Sequence, residues 1–164
     1  MRESTRVAEQ KPPYESYAAI MAVFGGLLAT AGLLSRKAER GPQCNTWLDL
    51  TLLAAATFKA ARTLARDPVT APIRAPFVEG DAHDGDEPPI SDGSAQQAIG
   101  ELVTCTRCIG TWVAAGLART QVATPRFGRV LTLALGTAGI NDFLQASFVA
   151  LNHKSDELKR RAGD

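Results

Sequence analysis

The sequence has few cysteines, almost no net charge and none of the common catalytic motifs. Its 164 residues include three cysteines, an odd number that excludes the disulfide framework of a small secreted protein. A formal charge of +1 does not provide the basic surface that nucleic-acid binding requires. A Gly-rich phosphate loop, an HExxH motif and a Ser/His/Asp arrangement are also missing, so composition and motifs favour a protein that is not an enzyme.

Polar residues are unevenly distributed along the chain. The mean hydropathy is -0.06, which would suit an ordinary soluble protein. However, the acids and bases gather at both ends and in a middle segment, and the stretches between them carry almost no charge. Since the length fits one domain, we interpret residues 1–164 as a single helical membrane domain.

Four apolar stretches predict an all-α integral membrane protein with about four transmembrane helices in a small bundle. A helix of about 20 residues crosses the hydrocarbon layer of a bilayer, which is roughly 30 Å thick. The predicted spans are residues 16–35, 47–66, 101–119 and 130–151. The alternative for the first is a buried core helix, and for the second it is a soluble amphipathic helix.

A long Pro-rich and acidic loop separates the second and third predicted spans. Pro68, Pro72 and Pro76 prevent the preceding helix from continuing. Residues 79–92 then carry six acidic side chains and no Lys or Arg. This composition predicts a solvated, flexible loop over residues 79–97.

The distribution of basic residues predicts an orientation in the cell membrane. If the chain crosses four times, 12 of the 18 Lys and Arg lie on the side of the two termini and the central connection. The positive-inside rule then places both termini and the 67–100 loop in the cytoplasm.

Two adjacent polar residues, Asn141 and Asp142, lie in the middle of the fourth predicted span. Polar groups at this depth normally face the bundle and pair across helices. A hydrogen bond between helices is the favoured interpretation for Asp142. The alternatives are a proton relay and a small transporter that uses this carboxylate.

Cys105 and Cys108 form a CxxC motif, which could close a disulfide or bind a metal. A helix N-terminus with Arg107 beside it would favour the thiolate that both chemistries require. Zinc is the cofactor that this alternative implies, with His83, His153 or a carboxylate completing the ligands. The favoured interpretation is that the cysteines are structural and that the protein has no cofactor.

Two sequence blocks flank the acidic loop. The first is LARDPVTAPIRAPF at 64–77, and the second is IGELVTCTRCIGTW at 99–112. In this order they resemble a bacterial membrane-protein family, the domain-of-unknown-function family 1360, some of whose members are associated with sporulation. Thr106 departs from the family pattern, in which Pro often follows the first cysteine. The resemblance implies membrane residence and supplies no mechanism.

The resemblance also indicates a cluster of residues at the cytoplasmic mouth of the bundle. Those that match the two blocks are Arg66, Asp67, Arg74, Glu101, Cys105, Cys108 and Trp112. We expect Arg74 to pair with Glu101 and so to fold the Pro-rich segment against the CxxC motif.

These observations predict a small multi-pass membrane protein that acts as a non-enzymatic assembly or interaction component. Its expected partners are the lipid bilayer and either another protein or further copies of the same chain. The alternative is a thiol-disulfide redox or metal-binding membrane protein that uses the CxxC pair.

Overall fold

The computed structural model describes residues 14–37, 47–80 and 82–162, with side chains in the first range described to residue 33. Within these ranges the regular elements are helices, which confirms the all-α prediction. The α-helices are α1 (Tyr14–Lys37), α2 (Trp47–Arg66), α3 (Ala71–Arg74), α4 (Ala95–Thr104), α5 (Thr106–Ala123) and α6 (Pro125–Ala162). Two 3-10 turns, Pro68–Thr70 and Ala75–Phe77, flank the short α3.

The boundaries of the third and fourth predicted spans differ from those of the helices. The third predicted span, 101–119, is divided by a break at Cys105 between α4 and α5, at the CxxC motif that was expected to lie at a helix N-terminus. Cys105 has an extended backbone (φ −91°, ψ 106°), and its side chain accepts a hydrogen bond from the N–H of Cys108. The fourth helix runs eleven residues past the predicted end at 151, to Ala162. Ion pairs between side chains three and four residues apart stabilise this extension.

Helices α2 and α6 pack side by side and run in the same direction. Three contacts follow one another along both helices in the same order: Leu52 with Gly136, Ala55 with Gly139, and Lys59 with Asp142. The two glycines let the backbones approach closely, since a Cβ on Gly136 would lie 2.7 Å from the carbonyl oxygen of Leu52.

Helices α1 and α5 form a second parallel pair. The order of their contacts again matches, with Phe24 against Trp112 at 4.8 Å between ring centroids and Thr30 accepting a hydrogen bond from Arg119 at 3.3 Å. A single residue, Thr124, separates α5 from α6, and the Gln121 side chain donates to the Thr132 hydroxyl at 2.9 Å across this turn, so the two helices fold back on each other as an antiparallel pair. The four long helices therefore alternate in direction along the chain.

The interior of the bundle consists mainly of small residues. Of the seven buried apolar residues in the described part of the chain, five are alanines. Large apolar side chains lie on the surface instead, including Trp47, Leu50, Val130, Phe143, Leu144, Phe148 and Leu151. This distribution is the reverse of that in a water-soluble protein of the same size.

One helical stretch within the described residues, Tyr14–Leu33, is long and apolar enough to cross a membrane by length and composition, and none of it is buried. The other predicted spans lie in α2, α5 and α6, but these helices do not meet that criterion. Charged residues such as Lys59 in α2 and Asp142 in α6, together with the polar Asn141, lower their hydropathy. Four membrane-spanning helices are therefore not established by composition.

The connection from α2 to α4 is held by backbone hydrogen bonds. The N–H of Glu79 donates to the carbonyl of Pro88 at 2.9 Å, and that of Ile90 donates to the carbonyl of Phe77 at 3.1 Å. The predicted loop 79–97 ends earlier than expected, because the Ser94 side chain caps α4 and the helix begins at Ala95.

Candidate functional site

Arg74 lies at the centre of the Pro-rich connection and is fully buried, with 0% exposure. Its Nη1 donates to the carbonyls of Leu64 (3.2 Å) and Asp67 (2.9 Å) and to the Thr70 hydroxyl (2.8 Å). Its Nη2 donates to the carbonyl of Ala82 at 2.8 Å. One guanidinium therefore joins the end of α2, the first 3-10 turn and the acidic loop. We call these five residues the Arg74 cluster.

The local sequence explains why the chain folds around this arginine. Pro68 begins the first 3-10 turn and ends the hydrogen-bonding of α2, which leaves carbonyls at the helix end without helical partners. Thr70 is also buried, and its hydroxyl donates a hydrogen bond to the carbonyl oxygen of Asp67 at 2.9 Å. Arg74 supplies the remaining donors, because a guanidinium carries five N–H groups in a rigid plane.

Arg66 fixes the tip of the acidic loop. Its Nη1 donates to the carbonyl of Gly85 at 2.7 Å and also forms an ion pair with Asp86. Gly85 has a positive φ of 78°, and a Cβ at this position would overlap the main chain of Arg66. A glycine is required here both by the backbone conformation and by the close approach.

Glu87 closes the loop from inside. Its Oε1 accepts hydrogen bonds from the N–H groups of Asp84 (2.7 Å) and Gly85 (2.9 Å). Burial acts to raise the pKa of Glu87, but these N–H groups and the charge of Arg74 hold the pKa below its usual value. The carboxylate therefore stabilises the turn of the loop by accepting hydrogen bonds from its backbone.

The second sequence block packs against the first through α4. A Cβ on Gly100 would overlap the carbonyl of Phe77, so glycine permits the contact between α4 and the second 3-10 turn. The Gln96 side chain also donates to the carbonyl of Pro76. The two blocks therefore meet in space, as the expected cluster requires.

Glu101 is not the partner of Arg74. Its Oε2 accepts a hydrogen bond from the Tyr17 hydroxyl of α1, and its Oε1 accepts one from Gln97 at 2.9 Å. The expected Arg74–Glu101 pair was therefore wrong: α2 and the loop offer carbonyl oxygens to the guanidinium, whereas Glu101 faces α1. Trp112 likewise contacts α1, through Phe24.

Cys105 and Cys108 lie at the break between α4 and α5, and both thiols are free. Their Sγ atoms are 2.6 Å apart, and the Cys105 Sγ accepts a hydrogen bond from the N–H of Cys108 at 3.3 Å. The Cys108 thiol is the main cause that lowers the pKa of Cys105, and Arg107 adds to this effect. The geometry thus favours thiolate formation at Cys105, which precedes α5 and is only partly exposed.

The two histidines proposed as metal ligands do not join the cysteines in the described part of the chain. In the described ranges no three His, Cys, Asp or Glu side chains form a group that could hold a metal ion. His83 is exposed in the loop and His153 is exposed on α6. Cys44 lies outside the described residues.

Asp142 and Asn141 occupy different environments on α6. Asp142 forms an ion pair with Lys59 of α2 at 2.9 Å, which is the contact between helices that its mid-helix position predicted. Asn141 is exposed, on the side that faces away from α2.

Three residues that position the site were not among the predicted ones. Thr70 lies inside the first block, and only its position shortly before the sequence Pro-x-Arg could have indicated its role. Gly85 could have been found as a glycine in the middle of an acidic turn. Tyr17 gave no signal beyond its position at the start of an apolar helix.

A known protein family matches the part of the chain that contains most of these contacts. A family described as "Protein of unknown function (DUF1360)" matches residues 52–148, more than half of the chain. The chain belongs to the DUF1360 family. The matched region contains the Arg74 cluster, the cysteine pair and the contact between α2 and α6. The expected family resemblance is thereby confirmed.

The chain is also similar to the sporulation protein YjcA of Bacillus subtilis (strain 168). It is 31% identical over 109 residues, which cover 60% of this chain and 88% of the relative. No solved structure matches this DUF1360 member.

Proposed function

We propose that this DUF1360 member is a four-span membrane protein that acts as a non-enzymatic assembly or interaction component. The observation that carries the proposal is the placement of large apolar side chains on the outside of the bundle and of alanines inside it. In water such a surface would favour aggregation, whereas in a bilayer it contacts lipid.

The packing of the helices also supports four spans. In lipid, helices associate through small residues and polar contacts, since burial of apolar surface gives no advantage there. The contact between α2 and α6 has both features: close approach at Gly136 and Gly139, and the Lys59–Asp142 ion pair beside them. Pairing allows the charges in α2 and α6 to lie within a membrane even though they lower the hydropathy of these helices.

The alternating helix directions place one group of ends together. The start of α1, the end of α2, the start of α5 and the extension of α6 lie on the side that holds the Arg74 cluster. This is also the side with the larger number of basic residues, so we place it in the cytoplasm. The loop held by Arg66 and Arg74 is then a shaped acidic surface, at which the component would bind its partner.

The first test is extraction of membranes at alkaline pH with sodium carbonate. An integral protein remains in the membrane pellet under this treatment, and we expect the full-length chain to do so. A peripheral protein of the same membranes serves as the released control. Release of the chain into the supernatant would contradict the proposal.

A second candidate function, thiol-disulfide exchange, is favoured by the 2.6 Å separation of the Cys105 and Cys108 Sγ atoms. In this reaction the Cys105 thiolate attacks a partner disulfide and forms a mixed disulfide, and one partner thiol leaves. Cys108 then attacks Cys105, releases the second partner thiol, and leaves an internal disulfide. Two electrons and two protons pass from this chain to the partner.

Alkylation trapping in cells separates the two functions. If the pair is structural, as we propose, both thiols stay reduced, and the Cys105→Ser and Cys108→Ser variants retain the wild-type membrane level and growth phenotype. A Cys105–Cys108 disulfide that changes with the redox state of the cell would favour exchange instead. A Cys108→Ser variant that accumulates a mixed disulfide would identify the partner.

A further inference from the structure

The side of α6 that faces away from α2 carries polar residues within an apolar strip. We call this strip the outer face of α6; its residues are Val130, Ala134, Thr137, Asn141, Leu144 and Phe148, all of them exposed. They follow a spacing of three and four residues, which keeps them on one side of a helix. Gly136, Gly139 and Asp142 lie on the opposite side, against α2.

Asn141 is the residue of this face that requires an explanation. Its neighbour Asp142 is paired with Lys59, but the Asn141 amide forms no side-chain hydrogen bond with any described residue. In the proposed bundle it would face hydrocarbon near the middle of a span. An amide there is costly unless a partner supplies a donor and an acceptor.

We propose that the outer face of α6 packs against the same face of a second copy of this chain. The inference rests on the proposed function, because it requires Asn141 to lie within the membrane. Two copies inserted in the same orientation place their Asn141 residues at the same depth. An amide carries both donor and acceptor, so the two side chains bond reciprocally across a two-fold axis.

The spacing and composition of the face match this occupant. A three-and-four repeat keeps two parallel helices in contact over many turns, and an Asn at one such position fixes their register. Thr137, one turn before Asn141, is a second side chain that can donate across the same seam. An unrelated partner helix would need its own polar group at this depth, whereas a second copy supplies it by symmetry.

The interface ends where α6 leaves the bundle. Past Leu151 the same spacing leads to Ser155, Leu158 and Ala162, and the charged residues Asp156 and Lys159 lie directly beside these positions. In a parallel dimer each of these charges would face the like charge of the second copy and repel it. The contact is therefore confined to residues 130–151, and the extension is not required for it.

The experiment uses two full-length copies with different affinity tags, expressed together and purified in mild detergent after carbonate extraction of the membranes. We expect the wild-type copies to co-purify and the Asn141→Leu variant to lose association by about tenfold, the loss expected for one polar contact between membrane helices. Asn152→Leu is the matched control, since Asn152 is also exposed but lies beyond Leu151. It should retain full association.

Disulfide cross-linking between single cysteines locates the face independently. In a chain that lacks the native cysteines, Thr137→Cys, Leu144→Cys and Phe148→Cys should cross-link strongly, and the exposed flanking positions Ile140→Cys and Val149→Cys should not. Strong cross-linking only at the flanking positions, or membrane-embedded copies that never co-purify, would contradict the dimer and leave the membrane proposal intact. Release of the chain by carbonate would contradict both proposals. If the outer face of α6 associated only with a different protein, the proposal that a second copy binds there would be wrong.

Discussion

An Arg74→Ala variant is expected to lose about 3–5 kcal/mol of unfolding free energy. The side chain is fully buried and donates to the carbonyls of Leu64, Asp67 and Ala82. Its removal leaves these oxygens without donors inside the protein, together with a cavity of side-chain size. Unfolding in mixed detergent micelles, followed by circular dichroism, measures the change.

The matched control for this variant is Arg62→Ala. Arg62 is an exposed arginine of α2, one turn before Arg66, and its removal should change stability by less than about 0.5 kcal/mol. Arg74→Lys should fall between wild type and Arg74→Ala, because an ammonium cannot match the planar fork of donors. Equal stability of the Arg74→Ala and Arg62→Ala variants would show that the Arg74 cluster does not hold the loop.

A Gly139→Ala variant is expected to destabilise the bundle by about 1–3 kcal/mol. A Cβ at this position would lie 2.5 Å from the carbonyl oxygen of Ala55, so α2 and α6 would have to move apart. The Lys59–Asp142 ion pair, one turn further along, would be strained by the same movement. The loss should appear in the same detergent unfolding measurement.

Gly116→Ala provides the comparison at a glycine of α5 where an added Cβ would meet no neighbouring atom within 4 Å. Both substitutions bring the same gain in helix propensity, up to about 1 kcal/mol. Gly116→Ala should therefore be neutral or stabilising while Gly139→Ala destabilises. If both variants stabilised equally, the close approach of α2 and α6 would be excluded.

The sequence was sufficient to predict the helices whose signals are local. Proline at Pro68 ends a basic helix, which set the end of α2 at Arg66 as predicted. The apolar run after Tyr14 likewise gave α1, because neither prediction depends on distant residues. Asp142 was also interpretable, since a mid-helix carboxylate in an apolar stretch indicates a contact with another helix.

Features that depend on tertiary contacts could not be predicted in the same way. The hydropathy of 101–119 does not show the break at Cys105; only the CxxC motif indicated a helix N-terminus there, and the capping hydrogen bond of the Cys105 side chain could not be predicted. Arg74 was recognised as a site residue but assigned to Glu101, since a sequence shows charges and does not show the carbonyls left free at a helix end. The parallel contact of α2 and α6 depends on Gly136 and Gly139, and nothing in the sequence indicates that these two glycines, among the others, lie at a contact between helices.

Side-specific labelling of single cysteines in intact cells tests the four-span arrangement most directly. One chain retains only the native Cys44, and the other carries His83→Cys with the native cysteines replaced by serine. With a membrane-impermeant maleimide, Cys44 should react in intact cells, whereas the cysteine at position 83 should react only after the membrane is permeabilised. Equal labelling of both positions in intact cells would contradict the arrangement.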